Sequence, residues 1–240
     1  MVFERLQQAL SFWWKHFLPL LMIVLPFAVI GSLVEIIIGP MFELNENGLQ
    51  QVSGLSIVLV LLVQVVAEGA LICQLAACAQ GKPRNLLDCT LFALYLFAPL
   101  AITMVLTVVP LAASAVGIAA LAGIGAASLA FIVVMPGLWG YLRLATATFS
   151  AVLDRETPMQ ALRTSIARTR AIQWPLLIAW MLGMLIILML ASVISASLLG
   201  VLGEHGGSLI LLGIVQKMLG AILTVLLFLA WQGKQPDITP

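Results

Sequence analysis

Glu68 and Lys217 stand where ionisable residues are costly. Glu68 interrupts the apolar run "SIVLVLLVQVVAEGALICQLAACA" (56–79), and Lys217 interrupts "SLILLGIVQKMLGAILTVLLFLAW" (208–231). Gln64 precedes Glu68 by four residues, one helical turn, so the two share a face. Glu68, Gln64 and Lys217 form the candidate polar site. Three readings are open: a buried ion pair that fixes helix packing, the polar lining of a substrate or ion path, or a lysine that snorkels without a partner.

A second group is basic. Arg143, Arg163, Arg168 and Arg170 lie within or beside the segment that links two apolar runs. Their charge suits anionic lipid headgroups. No covalent chemistry is suggested. HExxH, GxSxG and phosphate-loop motifs are absent, so no catalytic residue, cofactor site or metal site is nominated and the chain reads as a non-enzyme. Cys73, Cys78 and Cys89 are odd in number and lack CxxC spacing, which fits small reduced core residues. Lysine and arginine form no patch interleaved with aromatic residues, so nucleic acid is not a partner.

The elements that must hold these residues follow from composition. Of 240 residues, 62% are hydrophobic and 9% charged, against about a quarter charged in soluble domains. No charged side chain occurs between Asp88 and Arg143, nor from Ala171 to Gly203. Each gap exceeds the roughly 20 residues that a helix needs to cross a bilayer. Six spans are predicted, near 17–38, 55–79, 91–113, 118–142, 174–200 and 208–231. A turn is expected in "SAVGIAALAGIG" (114–125). Gly117, Gly123 and Gly125 would allow close helix approach, and Met135-Pro136-Gly137 would loosen or kink the fourth helix. The first run, behind Arg5 and Lys15, lacks a cleavage site in the usual place and reads as a retained span.

Charge sets the expected orientation. Arg5, Lys15, Lys82, Arg84, Arg143, Arg155, Arg163, Arg168, Arg170 and Lys234 all fall on one side of a six-span path, while Glu43, Glu46, Glu204 and His205 occupy the other. The rule that cytoplasmic loops are basic puts both termini in the cytoplasm. On this path His16 and His205 lie on opposite sides.

An internal repeat organises the chain. "FERLQQALSFWWKHFLPLL" (3–21), "PRNLLDCTLFALYLFAPLA" (83–101) and "MQALRTSIARTRAIQWPLL" (159–177) align without gaps. Each has proline at its seventeenth place (Pro19, Pro99, Pro175), leucine at the fourth (Leu6, Leu86, Leu162) and a small residue at the seventh (Ala9, Cys89, Ser165). "QGKP" (80–83) and "QGKQP" (232–236) mark equivalent junctions two units apart. The expected fold is an all-α membrane protein of six transmembrane helices in three parallel tandem repeats. Each repeat is a cytoplasmic amphipathic helix followed by a two-helix hairpin. The chain is one integral membrane domain (1–240), with units at 1–80, 81–156 and 157–235 and a short polar tail at 236–240.

Two short helices can be sketched. In the third unit, Thr157 is the expected N-cap with Pro158 at the first helical position; Met159, Leu162, Ile166 and Thr169 would share a face. In the first, Phe3, Leu6, Leu10 and Trp13 or Trp14 supply the apolar face. Such helices either lie in the membrane interface or bury that face on the bundle.

The stretch "VVMPGLWGYLRLATATFSAVLDRETPMQALRTSIARTR" (133–170) resembles the YciC-like family of bacterial inner-membrane proteins, and the membrane domains related to glycerophosphodiester phosphodiesterases. The likeness rests on Val134, Pro136 and Gly137, on Asp154, and on Ala161, Leu162, Arg163 and Ser165. "LICQLAACAQGKPRNLLDC" (71–89) is similar to the family's earlier loop. Ile166 departs from the aromatic residue expected after the serine. The resemblance implies a multipass protein of the bacterial inner membrane and no particular activity.

Two functions stay open at this point. One is a non-enzymatic membrane-organising factor that contacts lipids, with other envelope proteins as candidate partners. The other is a small transporter or lipid-handling protein whose cavity holds Glu68, Gln64 and Lys217.

Overall fold

The computed structural model describes residues 2–39, 42–44, 50–52, 54–123, 128, 130–203 and 206–233. Gly125, Glu46, Glu204, His205, Lys234 and the 236–240 tail, all used above, lie outside them. Ten helices and one short antiparallel pair make up the described fold: α1 (Val2–Lys15), α2 (Phe17–Ile38), β1 (Phe42–Leu44), β2 (Gln50–Val52), α3 (Gly54–Ala79), α4 (Leu86–Tyr95), α5 (Phe97–Gly123), α6 (Ala130–Leu144), α7 (Ala147–Leu153), α8 (Pro158–Thr169), α9 (Gln173–Leu202) and α10 (Gly206–Gln232). The strand pair, Phe42 opposite Val52, joins α2 to α3 and is the one described departure from an all-helical chain.

Six stretches are long and apolar enough to cross a membrane: Phe17–Ile38, Gly54–Ala79, Phe97–Leu121, Ile132–Leu153, Gln173–Val201 and Ile210–Gln232. The chain is a multipass membrane protein. The third and fourth spans are shifted from expectation. α5 continues through Gly117 to Gly123, and α6 starts at Ala130 instead of near 118. Alanine and glycine do not end a helix in an apolar medium, where an unpaired backbone group is costly. Gly117 packs so closely that an added Cβ would sit 2.6 Å from Val133 Cγ1. α6 runs unbroken through Pro136. At Gly137 an added Cβ would fall 1.8 Å from Ser114 Oγ and 2.7 Å from the Pro110 carbonyl oxygen. The Pro-Gly pair thus serves a tight α5–α6 crossing, and Ser114 Oγ donates to the Val133 carbonyl across it (2.8 Å).

Three short helices, α1, α4 and α8, precede the odd-numbered spans, and connectivity gathers them at one end, the basic end. Each meets its span at a short break. His16 (φ −111°, ψ 24°), Leu96 (−97°, 14°) and Ile172 (−117°, 6°) hold nearly the same backbone conformation. The carbonyls of these residues accept from the amides of Leu20, Leu100 and Leu176, at 2.9–3.1 Å, and all three leucines are fully buried. The prolines explain the breaks. Pro19, Pro99 and Pro175 each stand third in the new helix, where an amide would have no intrahelical partner in any case. In a continuous helix each proline would leave the carbonyl four residues earlier without a donor, and its ring would clash with that carbonyl.

α8 buries only part of the expected Met159–Leu162–Ile166–Thr169 face: Thr169 is buried and Leu162 packs against Ala147, Ala151 and Ala161. Ala161, Ser165 and Thr169 are buried, whereas Met159 and Ile166 are exposed. The cause lies next door. α6 ends at Leu144, and its last carbonyls need donors. Ser165 Oγ donates to the Arg143 carbonyl (2.7 Å) and shares a further hydrogen bond with Thr146 (2.7 Å), while Thr169 Oγ1 donates to the Ser165 carbonyl of its own helix (2.8 Å), with the Arg143 carbonyl farther off at 3.3 Å. Hydroxyls, not methylenes, therefore select the inward face. The Thr157 cap forms as expected before Pro158, with Thr157 N–H donating to Gln160 Oε1 (3.3 Å).

Candidate functional site

Gln64, Glu68 and Lys217 come together. They line one cavity of about 580 Å³ between α2, α3, α5, α6, α7, α9 and α10. That volume is within the usual range for small-molecule sites. Lys217 Nζ donates to Gln64 Oε1 across the α3–α10 gap. Among the described residues no Lys217–Glu68 ion pair is present, and the Glu68 carboxylate accepts no hydrogen bond. The ammonium is therefore anchored by a neutral amide, and the carboxylate faces open space.

The cavity has a floor and a mouth. Leu71, Ala145, Thr148, Phe149 and Leu227 are buried and lie toward the basic end. Beneath them Phe149, Phe228 and Trp231 pack ring against ring, with centroids 5.9–6.2 Å apart. Trp231 Nε1 donates to the buried Ser150 Oγ (3.2 Å). Toward the other end the lining includes Glu35, Val60 and Gly213, near the far termini of α2, α3 and α10. Glu35, Gln216 and Lys217 are exposed. The cavity thus runs from mid-bundle outward, away from the basic helices, and is closed beneath by aromatic rings.

The polar lining divides by whether its hydrogen-bonding capacity is spent. Thr107 Oγ1 donates to its own helix at Thr103 (2.7 Å), and Thr148 Oγ1 to Ala145 (3.3 Å). Tyr141 and Gln216 also line the cavity, and their side chains make no hydrogen bond among the described residues. Tyr141 meets Trp180 edge to face, with ring centroids 5.8 Å apart. Sequence reasoning missed Tyr141, Trp180 and Gln216. Gln216 was visible as a second polar residue beside Lys217; an aromatic on an apolar helix carries no such signal. Glu35, near the far end of α2, is at the mouth.

The four arginines have different surroundings. Arg168 Nη2 pairs with Asp154 Oδ2 (3.2 Å), and its guanidinium lies 5.1 Å from the centre of the Trp231 ring. Arg143 stacks over Trp139 at 4.5 Å. Arg163 and Arg170 are exposed on the same α8 face as Met159 and Ile166. A smaller cluster ties α3 to α4: Arg84 N–H and Cys89 Sγ both donate to Gln74 Oε1 (3.1 and 3.4 Å), and Arg84 Nη1 donates to Cys73 Sγ (3.6 Å). Hydrogen bonding with Cys73, followed by burial, pushes the Cys89 thiol above its ordinary range. Among the described residues no three His, Cys, Asp or Glu side chains gather to hold a metal ion.

Comparison with protein-family models, with curated proteins and with solved structures gives no match.

Proposed function

We propose that this protein is a non-enzymatic lipid-handling protein that admits an amphipathic molecule into its intramembrane cavity. One observation carries the reading. Glu68, Gln64 and Lys217 line a single open cavity at mid-span, instead of being locked together in a closed ion pair. Charged side chains at that depth cost several kcal/mol unless they face protein partners or water. A cavity bounded by apolar helices and floored by aromatic rings suits a molecule with one polar end.

The finer placement belongs to the same reading. The cytoplasmic side is the basic end, so the cavity opens outward from a bacterial inner membrane. The three short helices and their hairpins are three copies of one unit; the shared backbone break at His16, Leu96 and Ile172 supports this. Membership of the YciC-like family is compatible with that layout.

A membrane-organising role is favoured by a separate observation. Phe3, Leu10 and Trp14 on α1, and Leu87, Leu91, Leu94 and Tyr95 on α4, are exposed along one side of each helix. In water each would forgo about 1.5–3 kcal/mol of burial; at the interface they enter the acyl boundary.

Mass spectrometry of lipids retained after gentle extraction tests the cavity reading. About one lipid per chain is expected, and it should be lost in Gly220→Leu. Gly220 lines the cavity, and a Cβ there meets no atom within 4 Å, so a leucine side chain starts into open space. A chain that retains no lipid, or retains it equally after Gly220→Leu, defeats the reading.

A further inference from the structure

Resting on the cavity reading, we propose that the guest is a zwitterionic aminophospholipid, its ammonium set against Glu68 and its phosphate against Lys217. The charged lining of the cavity, among the described residues, consists of Glu35, Glu68 and Lys217. Glu35 is at the mouth. Glu68 is half-buried within the cavity, and Lys217, though exposed, reaches into it to bond Gln64, so the lining carries one charge of each sign there. The Glu68 carboxylate has no protein donor, so it offers its full acceptor capacity to a guest. The Lys217 ammonium has three N–H groups and uses one on Gln64. Gln64, which holds the ammonium, and Glu68 stand one helical turn apart, about 6 Å along the α3 axis. Opposite charges on a guest, separated by a short linker, match two opposite charges one turn apart.

The alternatives fare worse on the same residues. An anionic headgroup would satisfy Lys217 but set its negative charge against the Glu68 carboxylate. A simple alkylamine would satisfy Glu68 and leave the spare Lys217 donors unused. The rings of Tyr141 and Trp180 flank the interior, and aromatic faces attract an ammonium group. Val60, Val63 and Val108 supply apolar wall for an acyl chain, and Val108 is exposed at the bundle surface, where the chain can continue into lipid.

The test is native mass spectrometry of the purified full chain titrated with lysophosphatidylethanolamine and, separately, lysophosphatidylglycerol. Wild type is expected to prefer the ethanolamine lipid by about tenfold, the scale of one charge-assisted hydrogen bond. Glu68→Gln should abolish that preference, and Glu68→Asp, which keeps the charge, should retain most of it. Lys217→Met should weaken both lipids together. Equal binding of the two lipids by wild type, with loss of both in Gly220→Leu, overturns the zwitterion proposal and leaves the cavity reading standing. Binding that ignores Gly220→Leu defeats the cavity reading itself. Displacement by glycerophosphoethanolamine at concentrations equal to the lysolipid overturns the lipid assignment in favour of a free headgroup.

Discussion

Lys217 bonded to Gln64, with Glu68 left open, has consequences for stability that separate it from an ion pair. Removing one partner of a buried ion pair costs about 3–5 kcal/mol. Glu68 has no such partner, so Glu68→Gln should shift the thermal midpoint in detergent by little, within about 1 kcal/mol. Gln64→Leu should cost more, about 1.5–3 kcal/mol, because it strips a charged donor of its acceptor. Differential scanning fluorimetry of both variants decides the matter, and a larger loss in Glu68→Gln than in Gln64→Leu would restore the ion-pair reading. Cys89 should resist maleimide at pH 8 in the folded chain, since burial and its sulfur neighbour hold it as a thiol; intact-mass analysis after labelling checks this. Glu68, Gln64 and Lys217 were legible in the sequence because polar residues are rare in their spans. Their juxtaposition was only a possibility, because 149 residues separate Glu68 from Lys217 and periodicity says nothing about which helices adjoin. Tyr141 and Trp180 were not legible as site residues, because aromatics serve equally well in lipid or in a packed interior.

Helix boundaries follow local chemistry where a polar turn or a proline punctuates the chain. Five of the six span starts fall within about six residues of the sequence expectation. The α5–α6 connection did not, since its alanines and glycines propagate a helix as readily as they end one in lipid. Glycine contributes there by close approach. Gly137→Ala should destabilise by about 1–3 kcal/mol through overpacking, as its Cβ would collide with Ser114 and with the Pro110 backbone. Gly220→Ala meets open space and should be neutral or stabilising by up to about 1 kcal/mol from helix propensity. Thermal midpoints of the two variants, measured side by side, test this contrast; equal effects would mean that the α5–α6 crossing is looser than described. Gly81 is a third case. Its φ of 70° and the Lys82 to Ala77 backbone bond (2.9 Å) close α3 in a left-handed turn that glycine adopts without strain. The α8 face misled sequence reading for a different reason. Amphipathic spacing assigns inward positions to methylenes, whereas the Arg143 carbonyl near the end of α6 draws in the hydroxyl of Ser165.

At the scale of the molecule, the cavity around Glu68 is floored by aromatic rings on its basic side and reaches exposed Glu35 and Gln216 on the other. The aromatic stack of Phe149, Phe228 and Trp231 lies between the cavity and Arg168 of α8, whose guanidinium sits over the Trp231 ring. Composition alone made the multipass character plain, because the charge-free runs exceed a bilayer's thickness. The cavity was invisible in the sequence, since a void is a property of helices that fail to meet and no residue encodes it singly. The most direct measurement is labelling of Gln216→Cys by a membrane-impermeant maleimide in oriented membranes. Gln216 is exposed, lines the cavity and lies one turn from Gly220. The expected result is reaction from the face opposite the N-terminus alone, slowed when Gly220→Leu is added. Reaction from the N-terminal face, or none from either, would contradict an outward-opening cavity.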